Sequence, residues 1–466
     1  MGMDRFGKDL TQGSIPRHLL TFSIPMLLGN LIQIGYSVVN TVWVGHLVGE
    51  NAVGAAGVAT PIIFVTIGLA MGLTMATTVL VAQYYGAKDF RTVERVVDNS
   101  FSLALIVGAI LTILGVTMGD YLLRLMKAPP ENFGMASAYL KISFLSTVLM
   151  FLAFLINSIL RGIGDTVTPL MFMIIGIGMN AVLDPFFIGG FGPFPSHGLT
   201  GAAYATLVAQ GIGLATATVY LNRKGHVVAF NPKKLLLDRG ITLLIFKIGL
   251  PAVVQQTLVS LAHMLVLSIV NSFGAAATNA LGAVARVDMV AFMPGISMSM
   301  AVAALTGQNL GARKPERVKD IFKWGMVMTS TINVVISLLA VSFSRQILMG
   351  FGLGGDPLVM EIGGSYLHIV SACYVFVGVM FICGGVINGA GHTLMTMAFS
   401  ILAFWLIRLP GAWWLSGTSL GIRGVWVAIS ASFAMGMLMT LAYYFSGRWR
   451  RAVIIKTAGA PLPLMD

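Results

Sequence analysis

Gln83-Tyr84-Tyr85-Gly86-Ala87-Lys88 returns 225 residues later as Gln308-Asn309-Leu310-Gly311-Ala312-Arg313. Working outward, Arg161-Gly162-Ile163-Gly164-Asp165-Thr166 returns as Asn388-Gly389-Ala390-Gly391-His392-Thr393 at an offset of 227, and Gly198-Leu199-Thr200-Gly201 as Gly421-Ile422-Arg423-Gly424 at 223. Each echo is weak alone. Three in one order at nearly one spacing indicate an internal duplication.

The duplicated chain is too apolar for water. Of 466 residues, 57% are hydrophobic and 10% charged, with a mean hydropathy of +0.87, well outside the soluble range. A membrane helix needs about 20 mostly apolar residues. Twelve such segments centre on 18–44, 54–82, 99–118, 138–160, 167–189, 201–221, 243–271, 281–307, 321–342, 362–387, 393–414 and 424–446. The expected fold is all-α and integral to the membrane, with twelve transmembrane helices in two six-helix bundles. The bundles span 1–221 and 243–447, joined by a cytoplasmic linker loop at 222–242 and followed by a basic cytoplasmic tail at 448–466. Because six is even, both repeats enter from the same face, so a pseudo-two-fold axis along the membrane normal relates them and a central cleft lies between.

The net charge of +12 reflects topology rather than nucleic-acid binding. With both termini on one side, 22 of the 29 Lys and Arg residues fall on that side, and Arg124, Lys127, Arg345 and Arg423 on the other. Such asymmetry places both termini in the cytoplasm. Lys141, Arg286 and Arg408 fall inside or at the edges of helices. Cys373 and Cys383 are ten apart on one apolar segment, too far for a disulfide in a helix. No charged start with a short apolar run and a small-residue cleavage site is present, so the first helix is expected to remain as a span.

Both repeats open with a helix carrying an early proline, Pro25 or Pro251. In the first, Asn30, Gln33, Ser37 and Asn40 share one helical face; in the seventh segment, Gln256, Ser260 and His263 do. A polar stripe meets lipid only at high cost, so it bonds to other helices or lines a water-filled cavity. Matching stripes in two repeats favour the cavity.

Sorting the acids by depth leaves Asp184 and Asp288 away from loops and termini. Asp288 has Arg286 two residues away in the first turns of the expected eighth helix and reads as an interfacial charge. Asp184 has no basic residue within twenty positions. A carboxylate there faces water or alternates between neutral and charged forms, as cation coupling requires. Asn180 lies one turn earlier on the same face, and Pro185 removes a backbone donor. Tyr139 and Asn157, 18 residues apart in one expected helix, share a face as well. With Asn40 they would make a polar pocket in the amino-terminal bundle. The 28 methionines, Met289 and Met293 among them, fill gaps or supply adaptable apolar surface. No zincin, Walker or nucleophile-elbow motif occurs, so the chain is not expected to be an enzyme or a primary pump.

These residues resemble the multidrug and toxic compound extrusion (MATE) family. The likeness runs from Pro25 through Asn40-Thr41-Val42-Trp43, Gln83-x-x-Gly86, Leu160-Arg161-Gly162-x-Gly164-Asp165-Thr166 and Asn180-x-x-x-Asp184-Pro185 to Gly421-x-Arg423-Gly424-Val425-Trp426. The pocket looks like that of the DinF-like branch, implying a coupling-ion site at Asp184, Asn180, Asn157, Tyr139, Asn40 and Thr206, with sodium, if used, at Asp184 and Asn180. That branch commonly has an aspartate where this chain has Asn40, which leaves one carboxylate instead of two. The resemblance implies a secondary antiporter of a cell (inner) membrane. It would act as a monomer, exporting amphipathic cations for protons or sodium ions by alternating access without a further cofactor. The expected substrate cleft would include Gln33, Ser37, Gln256, Ser260, His263, Met289, Met293 and Arg286. The alternative is a flippase for lipid-linked oligosaccharide precursors, which needs basic groups for a pyrophosphate.

Overall fold

A computed structural model describes residues 7–190, 195–224, 226, 228, 235, 237–352 and 354–450. The expected linker residues Asn231, Pro232, Lys233 and Lys234, and the tail beyond 450, lie outside the described residues. The helices are α1 (Ile15–Leu47), α2 (Glu50–Gly86), α3 (Phe90–Leu125), α4 (Pro130–Leu145), α5 (Thr147–Gly162), α6 (Val167–Gly189), α7 (Leu199–Arg223) and α8 (Arg239–Asn271). They continue with α9 (Ala275–Gly311), α10 (Pro315–Ser342), α11 (Ser344–Gly350), α12 (Pro357–Ile369), α13 (Tyr374–Gly389), α14 (Thr393–Ile401), α15 (Leu409–Ser416) and α16 (Ile422–Phe445). Among the described residues, eleven helical runs are long and apolar enough to cross a membrane, and α4 with α5, bent by 46°, makes a twelfth. Phe64, Ile113, Leu338 and Leu406 stand more than half exposed on these helices, the side chains that acyl tails solvate.

The chain forms two compact units. One is built on Pro25–Gly249, the other on Leu10–Ile24 together with the described residues from Leu250. Both boundaries fall inside helices beside prolines, Pro25 in α1 and Pro251 in α8. In the first unit, Val44, Ala52, Ala59, Leu140, Phe144, Ile188 and Leu199 make a buried cluster with small residues where helices approach. In the second, Trp426 is fully buried, edge-on to Tyr366 at 4.9 Å, with its indole N–H donating to Ser365 Oγ at 3.1 Å.

The three sequence echoes are three backbone-demanding turns made twice. After α2, the amides of Ala87, Lys88 and Asp89 bond the carbonyls of Gln83, Tyr85 and Tyr84, and after α9 those of Ala312, Arg313 and Lys314 bond Gln308, Leu310 and Asn309. Lys88 and Arg313 adopt left-handed φ values of 60° and 57°. Gly164 and Gly391 follow at 90° and 88°. Gly198 and Gly421 precede α7 and α16 at φ 56° and 54°, with ψ of −134° and −131°, a conformation that side chains resist. Three residues on, a Cβ at Gly201 would stand 2.2 Å from the Phe187 carbonyl oxygen, and one at Gly424 2.5 Å from that of Leu415. Only glycine permits so close an approach.

Each repeat also contains a broken span. In the first, Ser146 separates α4 from α5, and the Thr112 hydroxyl of α3 donates to the Phe144 carbonyl beside the break at 3.0 Å. In the second, a 3₁₀ turn at Ser371–Cys373 separates α12 from α13. Across it, Ser337 Oγ of α10 donates to the Ser371 carbonyl at 2.6 Å and Asn333 Nδ2 to that of Tyr374 at 2.7 Å. Backbone carbonyls cannot go unpaired in lipid, which explains these polar residues on apolar helices. The first break corrects one expectation. Tyr139 and Asn157 occupy two helices at an angle, so an unbroken 18-residue periodicity does not align them. The span at 393–414 is interrupted too, by a π-helical turn at Leu402–Arg408, where Pro410 lacks the donor and the space that a regular α-helix requires.

Candidate functional site

Asp184 is fully buried on α6, at 0% exposure, and Asn180 one turn earlier is 6% exposed. The Gly201 contact brings α7 against α6 at Phe187, and α7 then carries Thr206 past Asn180. Asn180 Nδ2 donates to Thr206 Oγ1 at 3.2 Å, and that hydroxyl donates to the Ala202 carbonyl at 2.9 Å. From α1, Asn40 Nδ2 donates to the Tyr36 hydroxyl at 2.8 Å, and Tyr36 donates to Asp184 Oδ2 at 3.4 Å. Tyr139 lies close enough for its phenol to feel the Asp184 charge.

Two oxygens in this constellation lack donors. Asp184 Oδ1 and Asn180 Oδ1 are buried and make no hydrogen bond among the described residues. Pro185 also lacks the amide that would have bonded the Ala181 carbonyl. A buried acceptor without a donor costs about 1–3 kcal/mol. The donor set is oxygen-only and carries one negative charge, which suits a proton or a small hard cation.

Of the six residues expected at the ion site, Asp184, Asn180, Thr206 and Asn40 enter this network, with Tyr36 between Asn40 and Asp184. Tyr139 borders it. Asn157 is half-buried on α5 and makes no side-chain hydrogen bond among the described residues. Tyr36 is not among the six expected residues, although its position four residues before Asn40 is a facing pair on any helix.

The residues expected at the cleft divide. Gln33 and Ser37 on α1, and Gln256 and Ser260 on α8, are exposed. His263 is also exposed on α8, with its ring 6.1 Å from that of Phe404. Met289 is 49% exposed, Met293 is buried, and the Arg286 guanidinium lies over the Phe351 ring at 5.6 Å. Asp288 departs from its expected place. Because α9 begins at Ala275, six residues before the apolar segment, Asp288 lies more than three turns inside the helix. Its partners are Tyr366 and Tyr374, not Arg286.

The MatE family model matches residues 25–186 and 251–414, one copy in each repeat. The chain is 31% identical to the probable multidrug resistance protein YpnP of Bacillus subtilis, covering 95% of this chain and 97% of that one. It is 32% identical to the probable multidrug resistance protein YoeA of the same organism, over 92% and 94%. A multidrug resistance MATE family transporter of the MOP superfamily, solved in an outward-facing conformation, superposes with a TM-score of 0.86 at 26% identity, covering 97% of this chain and 99% of that one. The chain belongs to the MatE family of multi-pass membrane transporters.

Proposed function

We propose that this protein is a secondary antiporter of the inner membrane that exports amphipathic, cationic compounds in exchange for protons or sodium ions. The reading rests on one observation: Asp184 Oδ1 and Asn180 Oδ1 are buried, adjacent on one helical face, and without donors among the described residues. A proton would occupy the carboxylate, or a sodium ion would sit against the two oxygens, and either satisfies acceptors otherwise left bare. Asn180 is oriented by Thr206, and Asp184 is steadied by Tyr36, itself held by Asn40. A cation that binds one conformation of the protein more tightly than another shifts the balance between them by that difference, and alternating access follows. Gln33 and Ser37, exposed on the same helix as Asn40, are the proposed substrate contacts of the first unit. The charge asymmetry supports cytoplasmic termini, and a monomer is sufficient because the ion site lies within one unit.

The flippase alternative needs free basic groups. Of its three candidates, Lys141 is paired with Asp120 at 2.7 Å and Arg408 is 1% exposed, which leaves only Arg286, exposed over the Phe351 ring, to meet a pyrophosphate in this conformation. The test is transport of a fluorescent cation into proteoliposomes under an imposed proton or sodium gradient. Asp184→Asn is expected to insert normally and to lose gradient-driven transport. Full transport by that variant would overturn the assignment.

A further inference from the structure

The second unit holds a charge cluster that the Asp184 site does not use, with Asp288 half-buried among the buried Tyr366, Tyr374 and Arg408. Asp288 on α9 accepts from two tyrosines at once: Tyr366 bonds Oδ2, and Tyr374 bonds Oδ1 at 2.5 Å. The two hydroxyls come from opposite sides of the break at Ser371–Cys373, Tyr366 from α12 and Tyr374 from α13. A single carboxylate therefore ties together the halves of a broken span. The break is polar and incompletely matched, since Ser371 Oγ and Asn333 Oδ1 are buried beside it without partners among the described residues.

Arg408 supplies the countercharge. Its guanidinium lies 4.1 Å from the Phe404 ring centroid and 4.7 Å from that of Phe433, and its Nε donates to Ser432 Oγ at 2.9 Å. Nη2 of Arg408 is buried with no partner among the described residues, and no ion pair joins Arg408 to Asp288, although their charges interact. It is carried on the π-helical turn, a deformation common at functional positions. The groups that face Asp288 are thus Tyr366 from α12, Tyr374 from α13 and Arg408 from the π turn. His263 of α8 lies against the same Phe404 ring as Arg408, while Arg286 of α9 itself is turned to Phe351.

The hydrogen-bond inventory of a carboxyl group dictates the consequence. Ionised, Asp288 accepts from both phenols; protonated, one of its oxygens becomes a donor and meets an O–H that is also a donor. One phenol must then turn its own hydrogen away and accept from the acid, so a charge-assisted bond becomes a weaker, neutral one. A metal ion does not fit, because both oxygens already face donors and a guanidinium stands close by. We infer that Asp288 is a second proton-exchange site, within the second unit, and that the proton it takes up loosens the Tyr366–Tyr374 clamp across the broken span. The inference goes beyond the coupling role of Asp184 and does not depend on it.

Cys373, half-buried in the break, reports the clamp, and Cys383 is buried and silent. The experiment measures N-ethylmaleimide alkylation of Cys373 in lipid nanodiscs across a pH series, with Asp184→Asn as parent so that the first site contributes nothing. Rates are divided by those of the parent carrying Asp288→Asn at the same pH, which cancels the thiolate fraction. At alkaline pH the parent should react about tenfold more slowly than the Asp288→Asn form, the scale of one lost charge-assisted bond. The ratio should approach one as the pH falls. Tyr374→Phe in the parent keeps the carboxylate but removes one arm of the clamp, and should react rapidly at every pH. A ratio that stays flat with pH, or a Tyr374→Phe form as slow as its parent, would overturn the inference. Should Asp288→Asn fail to insert, the Tyr374→Phe comparison decides alone. Transport is not read, so failure of the antiport assignment would leave this result untouched.

Discussion

Tyr36 and Asp184, 148 residues apart in the chain, are joined by a hydrogen bond of 3.4 Å from the phenol to the carboxylate's Oδ2. The bond is long, so Asp184 is held loosely on one oxygen and not at all on the other. A tightly held carboxylate would resist giving up and regaining a cation. The loose tether is compatible with a group that exchanges one.

Tyr36→Phe is accordingly expected to impair transport without abolishing it. The substitution removes the donor to Asp184 and the acceptor of Asn40 Nδ2 together. Losing a bond to a charged group costs about 1.5–3 kcal/mol, less for one this long, so gradient-driven efflux should fall roughly tenfold. A rate within twofold of wild type, at equal reconstituted protein, would remove Tyr36 from the site.

Asn40→Asp should change the coupling ratio. The new carboxylate would share the Tyr36 hydroxyl with Asp184, and two acids that close cannot both stay ionised in a buried site. The variant is expected to carry one more cation per exported molecule, read from the membrane potential at which net flux reverses. An unchanged reversal potential would show that position 40 does not communicate with Asp184.

Gly201→Ala and Gly424→Ala separate stability from function. Each added Cβ meets a backbone oxygen, of Phe187 at 2.2 Å or of Leu415 at 2.5 Å, so helices must move apart at a cost of about 1–3 kcal/mol. Both variants should show lower thermal midpoints in detergent. Only Gly201→Ala displaces α7 from α6, and with it Thr206 from Asn180, so only it should also weaken cation-coupled transport. Equal transport by the two variants would sever the link between the α6–α7 packing and the site.

The distribution of legible and illegible features has a physical cause. The duplication could be read because Gly198 and Gly421, or Gly164 and Gly391, occupy backbone conformations that few residues tolerate, so their identities persist when surrounding apolar residues drift. Asp184 and Asn180 could be read because a lone acid with an amide one turn away stands out against lipid-facing residues. The break at Ser146 could not be read, since neither proline nor glycine marks it and the compensating hydroxyl, Thr112, lies 34 positions earlier on another helix. For the same reason the partners of Asp288 were invisible. Tyr366 and Tyr374 bond it across 78 and 86 residues, whereas Arg286, its neighbour in sequence, turns away.

The repeated Gln83 and Gln308 motifs are more than turns, because the second copy grips the amino-terminal arm. The Leu10 amide donates to Gln308 Oε1 at 3.0 Å, Asn309 Nδ2 donates to the Leu10 carbonyl at 3.3 Å, and Lys314 and Arg317 donate to the Thr11 and Gly13 carbonyls, each at 3.0 Å. Gln308→Ala strands a buried amide at a cost of about 1–3 kcal/mol. The penalty is local, so it should appear as easier opening of the arm while the global thermal midpoint falls little. Tryptic cleavage after Lys8 should accelerate about tenfold. Cleavage at the wild-type rate would show that the remaining three bonds suffice and that Gln308 is retained for the turn alone.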